Sequence, residues 1–279
     1  MTQKDYTFYP AKTDSPEFLT QDQIEHFNQN GFISPLPGFP IQEIGKQRKY
    51  FDQLLQQLAE SPHKGDPHFG GADKKDSVQY SLNCYHTKLR GIWETMYEDT
   101  LLRGVRDLIG NDVVAWATHY FCKLPGDGKA VSFHQDASYW GLTPAKTVTV
   151  WLALDDTDEE NGAMQFLPGS HKVGHIPWKE SSEESVLNQQ IKDISMFDKP
   201  FSNNLKAGEY SLHSSLLVHG SPKNQSSRRR CGLTIRYAPQ DVVPLSPNYS
   251  EMSYFVSGDI TAPHWQDNLP PSKYFLGVL

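Results

Sequence analysis

Three cysteines in 279 residues, Cys84, Cys122 and Cys231, are too few and too far apart for a disulfide framework, and no C-x-x-C pair offers a thiolate zinc site. They read as structural thiols. No apolar run approaches the length of a membrane span, and the opening "MTQKDYTFYP" lacks the basic-then-apolar order of a secretory leader. The expected compartment is therefore the cytoplasm, with no membrane partner. Long basic runs are missing too: 26 Lys and Arg against 33 Asp and Glu give a net charge of -7, which argues against nucleic acid as a partner. With 21% charged and 12% aromatic residues, the composition is that of an ordinary folded globule, a monomer or homodimer.

What is present falls into two textures within one expected domain, 1–279. Residues 1–111 read as mostly helical. Thr20 to Gln23 has the T-x-x-Q form of a capping box, followed by Ile24 and Phe27 on one face and a stop at Gly31. Helical stripes recur in residues 41–60, at Leu89, Ile92, Trp93 and Met96, and from Leu101 to Ile109. After Asn111 come short β-rich runs at 113–124, 129–135, 147–154, 163–167, 209–218 and 231–237, separated by the turns "PGDG", "EENG", "LPGS" and "KAGE". Many short strands with such turns indicate a mainly β sandwich or barrel over 112–240, with helices flanking it. The polar stretch 174–204, centred on "KESSEES", reads as an insertion between strands, and the tail 241–279 could cover a cavity mouth.

The stretch "VSFHQDASYW" sets His134 and Asp136 two positions apart among strand formers, where side chains i and i+2 share a face. His219, at the end of a later strand, supplies a second imidazole. Two histidines and a carboxylate, one pair close in sequence and the third ligand distant, match the facial triad of non-haem Fe(II) oxygenases. Such a triad leaves coordination positions open for a 2-oxo acid and O₂. A bound 2-oxoglutarate also needs a cation for its far carboxylate, and Arg230 lies eleven residues after His219, across the turn "GSPKNQSS". The planar fork of arginine suits that carboxylate.

The segments "FHQD", "VTVWLALDDTDEENGAMQFLPGSHK" and "LLVHGSPKNQSSRRRCGLTIRY" together resemble the phytanoyl-CoA dioxygenase family of Fe(II)/2-oxoglutarate oxygenases, in particular bacterial members acting on small metabolites. The resemblance covers roughly residues 82–239. It implies a double-stranded β-helix, the cupin-like jelly roll, with Fe(II) held by His134, Asp136 and His219 and with 2-oxoglutarate and O₂ as cosubstrates. It also implies that Arg230 and Ser221 meet the distal carboxylate, and that Thr149, Trp151 and His119 line the cosubstrate pocket. Trp140 matches a substrate contact of related ectoine hydroxylases. Halogenases of the family replace the carboxylate with a small residue, so Asp136 favours hydroxylation over chlorination. The implied activity is hydroxylation of an unactivated C–H bond in a small polar metabolite, as in tailoring hydroxylases of secondary metabolism, the cylindrospermopsin type among them.

Other residues carry two readings each. His213 either faces the cavity, by strand parity with His219, or is a hydrogen-bonded core histidine. Arg236, in parity with Arg230, either meets substrate or pairs with an acidic neighbour. Asn83 and His86, placed between helices, either reach the pocket mouth or cap. His171 and His175 are expected to be exposed, and Arg228 and Arg229 to form a solvated turn. Trp140, Phe121, His213 and the acidic surface suit a cationic or zwitterionic substrate better than an acyl-CoA. Two rival functions remain: a cupin-like metalloenzyme that does not use 2-oxoglutarate, and a catalytically silent jelly-roll binding protein.

Overall fold

The computed structural model describes residues 4–60, 80–126, 129–181, 185 and 187–275. Residues 127–128 of "PGDG", 182–184 and 186 of the insertion, 276–279 of the tail, and 1–3 and 61–79 of the helical part lie outside the described residues. In chain order the elements begin with α1 (Gln21–Asn30), β1 (Phe32–Leu36), α2 (Ile41–Glu60), β2 (Tyr80–Asn83), α3 (Arg90–Thr95) and α4 (Asp99–Ile109). The β-rich part follows as β3 (Val113–Lys123), β4 (Val131–Gln135), α5 (Asp136–Tyr139), β5 (Leu142–Thr143), β6 (Val148–Ala153), β7 (Gln165–Phe166), β8 (Trp178–Glu180) and β9 (Gln189–Ile191). It closes with β10 (Phe201–Ser202), β11 (Tyr210–Ser214), β12 (Val218–Ser221), β13 (Arg230–Pro239), β14 (Val243–Pro244), α6 (Pro247–Glu251) and β15 (Tyr254–Ser257).

Two antiparallel sheets make the jelly roll expected from the sequence. The larger runs β1-β11-β6-β13-β3-β15, with β2 also paired to β3; the smaller runs β10-β7-β12-β4. The helices cover the outer face of the larger sheet: Ile24, Ile44, Phe51, Leu54, Leu101 and Val105 pack with Val150, Leu152, Leu212, Leu233 and Ile235. Because that sheet is covered on both sides, β6 is buried at every position and, Thr149 apart, is apolar throughout rather than alternating. α1 starts on the predicted capping box, Thr20 accepting from the Gln23 backbone and Gln23 reaching back, and it ends at Gly31 with φ 87. A Cβ on Gly31 would stand 2.7 Å from the His171 ring, so packing and conformation both require glycine there. The buried carboxylate of Asp107 in α4 accepts the backbone N–H groups of Glu17, Phe18 and Leu19 at 2.8, 2.9 and 2.7 Å, tying the N-terminal segment to the helical layer.

Several expectations change. The part before Asn111 contributes strands as well as helices, β1 pairing with β11 and β2 with β3. The run 209–218 is two strands: Ser215 N donates to Thr147 O and Leu217 N to Ser214 O, a turn that sends β11 into the larger sheet and β12 into the smaller. His171 is fully buried rather than exposed, edge-on to Phe8 at 4.3 Å with Nε2 3.2 Å from Asn28 O. His86 is a satisfied core histidine, bonded to Thr118 Oγ1 at 3.0 Å and Met252 O at 2.9 Å. Asn83, between α2 and α3 in the chain as expected, ends β2 opposite His119. Within 174–204, β8 and β9 form a hairpin, and Ile176 and Ile191 pack against Leu167 and Val218. Cys122 and Cys231 are free buried thiols directly opposite each other on β3 and β13. No described helix is long and apolar enough to cross a membrane.

Candidate functional site

The pairing of β12 with β4 puts His219 directly opposite His134, ring centroids 4.3 Å apart. Asp136 does not continue the strand as the i, i+2 argument supposed. β4 ends at Gln135, Ala137 N donates to Ser215 O at 2.8 Å, and the chain turns into α5 with Asp136 as its first residue. The turn still delivers the carboxylate: Asp136 Oδ1 lies 3.6 Å from His134 Nε2 and 4.0 Å from His219 Nε2. All three residues are buried, and one potential ligand atom from each falls within 4.8 Å of the others.

Hydrogen bonds behind the imidazoles set their tautomers. His134 Nδ1 lies 2.8 Å from Ser132 O, and His219 Nδ1 lies 3.0 Å from Leu217 O. A carbonyl only accepts, so each Nδ1 carries the proton and each Nε2 lone pair points at Asp136, the supporting arrangement usual for metal-ligating histidine. Burial, then the neighbouring His134, lowers the pKa of His219 to about 4, which keeps it neutral and able to ligate at pH 7. Burial raises the Asp136 carboxyl, but the neighbouring imidazoles of His219 and His134 and the charge of Arg236 outweigh it, and the net shift is downward. Two imidazole lone pairs and a carboxylate aimed at one point suit a divalent cation.

A second set of groups converges at the other end of the cavity. Arg230, 3% exposed at the start of β13, donates from Nε to Gly162 O at 3.1 Å and from a terminal nitrogen to Ser221 Oγ at 3.3 Å. Trp151 lies under its guanidinium at 5.7 Å. Arg230, Ser221, Thr149, Trp151, Phe121, His213 and Arg236 line the same cavity as the triad. Trp140, His119 and Asn83 are not on its wall. Trp140 is packed beneath Arg236, its ring centre 4.8 Å from the guanidinium. His119 stacks on Phe121 at 3.9 Å, and burial with the charge of Arg236 lowers its pKa to about 3. Sequence reasoning missed Val131, Met164 and Leu187 on the wall. Leu187 comes from the polar 174–204 stretch, where no local pattern marks a cavity contact.

Comparison with known proteins agrees with this geometry. The family description "Phytanoyl-CoA dioxygenase (PhyH)" matches residues 27–232. A probable phytanoyl-CoA dioxygenase from Caenorhabditis elegans is 24% identical over 244 residues, covering 80% of this chain and 77% of that protein. A probable alpha-ketoglutarate-dependent hypophosphite dioxygenase from Stutzerimonas stutzeri is 36% identical over 145 residues, 49% of this chain and 50% of that one. Among solved structures, the apo form of the non-heme monooxygenase ThoJ superposes with a TM-score of 0.73 at 24% identity, covering 89% of this chain and 88% of that one. The chain belongs to the phytanoyl-CoA dioxygenase family of Fe(II)- and 2-oxoglutarate-dependent oxygenases.

Proposed function

We propose that this chain, acting as one catalytic domain, hydroxylates an unactivated C–H bond of a small polar metabolite. In this reading His134, Asp136 and His219 hold Fe(II), and Arg230 with Ser221 receives the distal carboxylate of 2-oxoglutarate. The observation that carries it is the pairing of two tautomer-locked imidazoles and one carboxylate with a buried arginine in a single cavity. When bound, Fe(II) and 2-oxoglutarate supply the oxidising chemistry: O₂ gives one oxygen atom to the new hydroxyl and one to succinate, and CO₂ leaves.

The protein's own residues position and insulate. The Ser132 and Leu217 carbonyls hold the two imidazoles in their ligating tautomer. The Gly162 carbonyl fixes Arg230 from behind, which preorganises its planar fork for a carboxylate. Trp151, Met164 and Phe121 present apolar surface that keeps water out and strengthens the ionic contacts inside. Asp136 occupies the carboxylate position that the family's halogenases lack, which supports hydroxylation. The Stutzerimonas relative is named for a very small polar substrate, which supports a small metabolite over an acyl-CoA.

The test is an anaerobic titration of the metal-free protein with Fe(II) and 2-oxoglutarate followed by visible absorption, with Arg230→Ala alongside. The expected result is a charge-transfer band that needs both components and weakens in the variant, followed by succinate release with a metabolite panel. Bound iron without a band would move the assignment to a metalloenzyme that does not use 2-oxoglutarate. Failure to bind iron at all would favour a silent binding protein.

A further inference from the structure

Strand register places three polar side chains of the larger sheet side by side on its inward face. His213 of β11 is opposite Thr149 of β6, and Thr149 is opposite Arg236 of β13. Each holds buried polar atoms that lack a hydrogen-bond partner: both ring nitrogens of His213, the hydroxyl of Thr149 and Nε of Arg236. Three neighbouring residues unsatisfied together form a pattern, because each such group ordinarily finds a partner when buried. All three line the cavity of the triad, and His213 Nε2 stands 4.0 Å from Asp136 Oδ2, so the row lies beside the metal ligands.

Arg236 is the unusual member. It forms no ion pair among the described residues, and the contacts of Asp136 go to His134, His213 and His219 instead. Its guanidinium lies over aromatic rings, 4.8 Å from the centre of Trp140 and 5.9 Å from that of Trp116. On its other flank β3 offers only the methyl of Ala117, which leaves space. An arginine held this way beside a dication site is repelled unless an anion accompanies it. That anion is not the one held at Arg230. The Arg230 guanidinium is turned to Gly162 and Ser221, whereas Arg236, six residues or roughly 20 Å along the strand, lies over Trp140 and Trp116, so the two forks address different parts of the cavity.

We propose that the row His213, Thr149 and Arg236 is the substrate's anion subsite, so that the substrate is a small acid whose carboxylate or other oxyanion meets the Arg236 fork. The Thr149 hydroxyl and the unpartnered ring of His213 add hydrogen-bonding groups beside it. This rests on the oxygenase reading above and departs from the cationic or zwitterionic preference drawn from Trp140, Phe121, His213 and the acidic surface.

The test uses anaerobic protein loaded with Fe(II) and 2-oxoglutarate, titrated with acetate, glycolate or inorganic phosphate, with acetamide as the neutral control. Two readouts are followed, the charge-transfer band and the melting temperature. At least one anion should perturb both saturably, and acetamide neither. Arg236→Gln should weaken that response by about tenfold or more, as loss of a charge-assisted hydrogen bond implies, with Arg236→Lys intermediate. A response to carboxylates alone indicates a carboxylic acid substrate, and one to phosphate alone a phosphoryl compound. Absence of response to every anion, or an Arg236→Gln response equal to wild type, overturns the proposal. If the wild type forms no band with Fe(II) and 2-oxoglutarate, the oxygenase reading fails instead, and the melting-temperature titration of the metal-free protein still tests the row by itself.

Discussion

Gly232→Ala is the smallest substitution that should disturb the cavity without touching a proposed ligand. Gly232 sits in β13 between Phe121 of β3 and Ala153 of β6, and the Trp151 indole lies across it. A Cβ there would meet Trp151 Cζ2 at 2.3 Å and Cε2 and Cη2 at 2.6 Å. Carbon atoms rest comfortably at about 3.5–4.0 Å, so the indole must withdraw by roughly 1 Å or more. It has little room, because Phe32, Met164, Phe166 and Leu217 are buried in the same cluster. Overpacking of this kind costs about 1–3 kcal/mol. The indole also lies beneath the Arg230 guanidinium, so its displacement should raise the Kd for 2-oxoglutarate by about tenfold, the equivalent of about 1.4 kcal/mol. Urea unfolding of the metal-free protein measures the first effect, and anaerobic titration of the iron-loaded protein the second. Unchanged stability and unchanged Kd would refute the packing argument. Lost stability with an unchanged Kd would refute only the link from Trp151 to the arginine.

Arg230→Lys keeps the charge and loses the planar fork, so calorimetry should show 2-oxoglutarate affinity down at least about tenfold with metal affinity unchanged. Asp107→Ala strands three backbone N–H groups, and a loss of about 3 kcal/mol or more is expected in urea unfolding. Burial lowers the pKa values of His86 and His171 from 6.5 to about 4, so between those values the unfolded chain binds more protons than the folded one. The stability they contribute is complete above pH 6.5 and is lost as the pH falls towards 4, by up to about 3 kcal/mol per group. Unfolding free energies measured across that window should decline with acid, and His86→Gln should flatten the slope.

The triad was legible because chemistry constrains residue type, order and spacing more tightly than any strand does. α1 was legible for a similar reason, since a capping box and a terminal glycine are local devices. The division of residues 209–218 was not. "YSLHSSLLVHGS" offers only Ser214-Ser215 as a turn signal and no glycine or proline until Gly220, and the turn at Ser215 is imposed by closure of two sheets. β1 escaped notice because "FISPL" carries a proline and becomes a strand only by pairing with residues far along the chain. His171 looked like a loop residue, but the space left by Gly31 takes its ring inside. The sign of the substrate was not legible in the composition, because net charge describes solubility and encounter, whereas a cavity's sign is set by the few groups that face it.

The strand order of the larger sheet is also a schedule for synthesis. Its neighbours come from residues near 32, 210, 148, 230, 113 and 254, so apart from β2 with β3 no two adjacent strands are both available until the last third has been made. At about 5–20 residues per second, the ribosome leaves the Phe32–Leu36 strand waiting on the order of ten seconds or more for its partner. Such non-local pairing folds slowly and exposes unpaired edges in the meantime. This protein is therefore most vulnerable to aggregation before release, and a slower ribosome or a missing chaperone should reduce its yield more than a core mutation of modest cost.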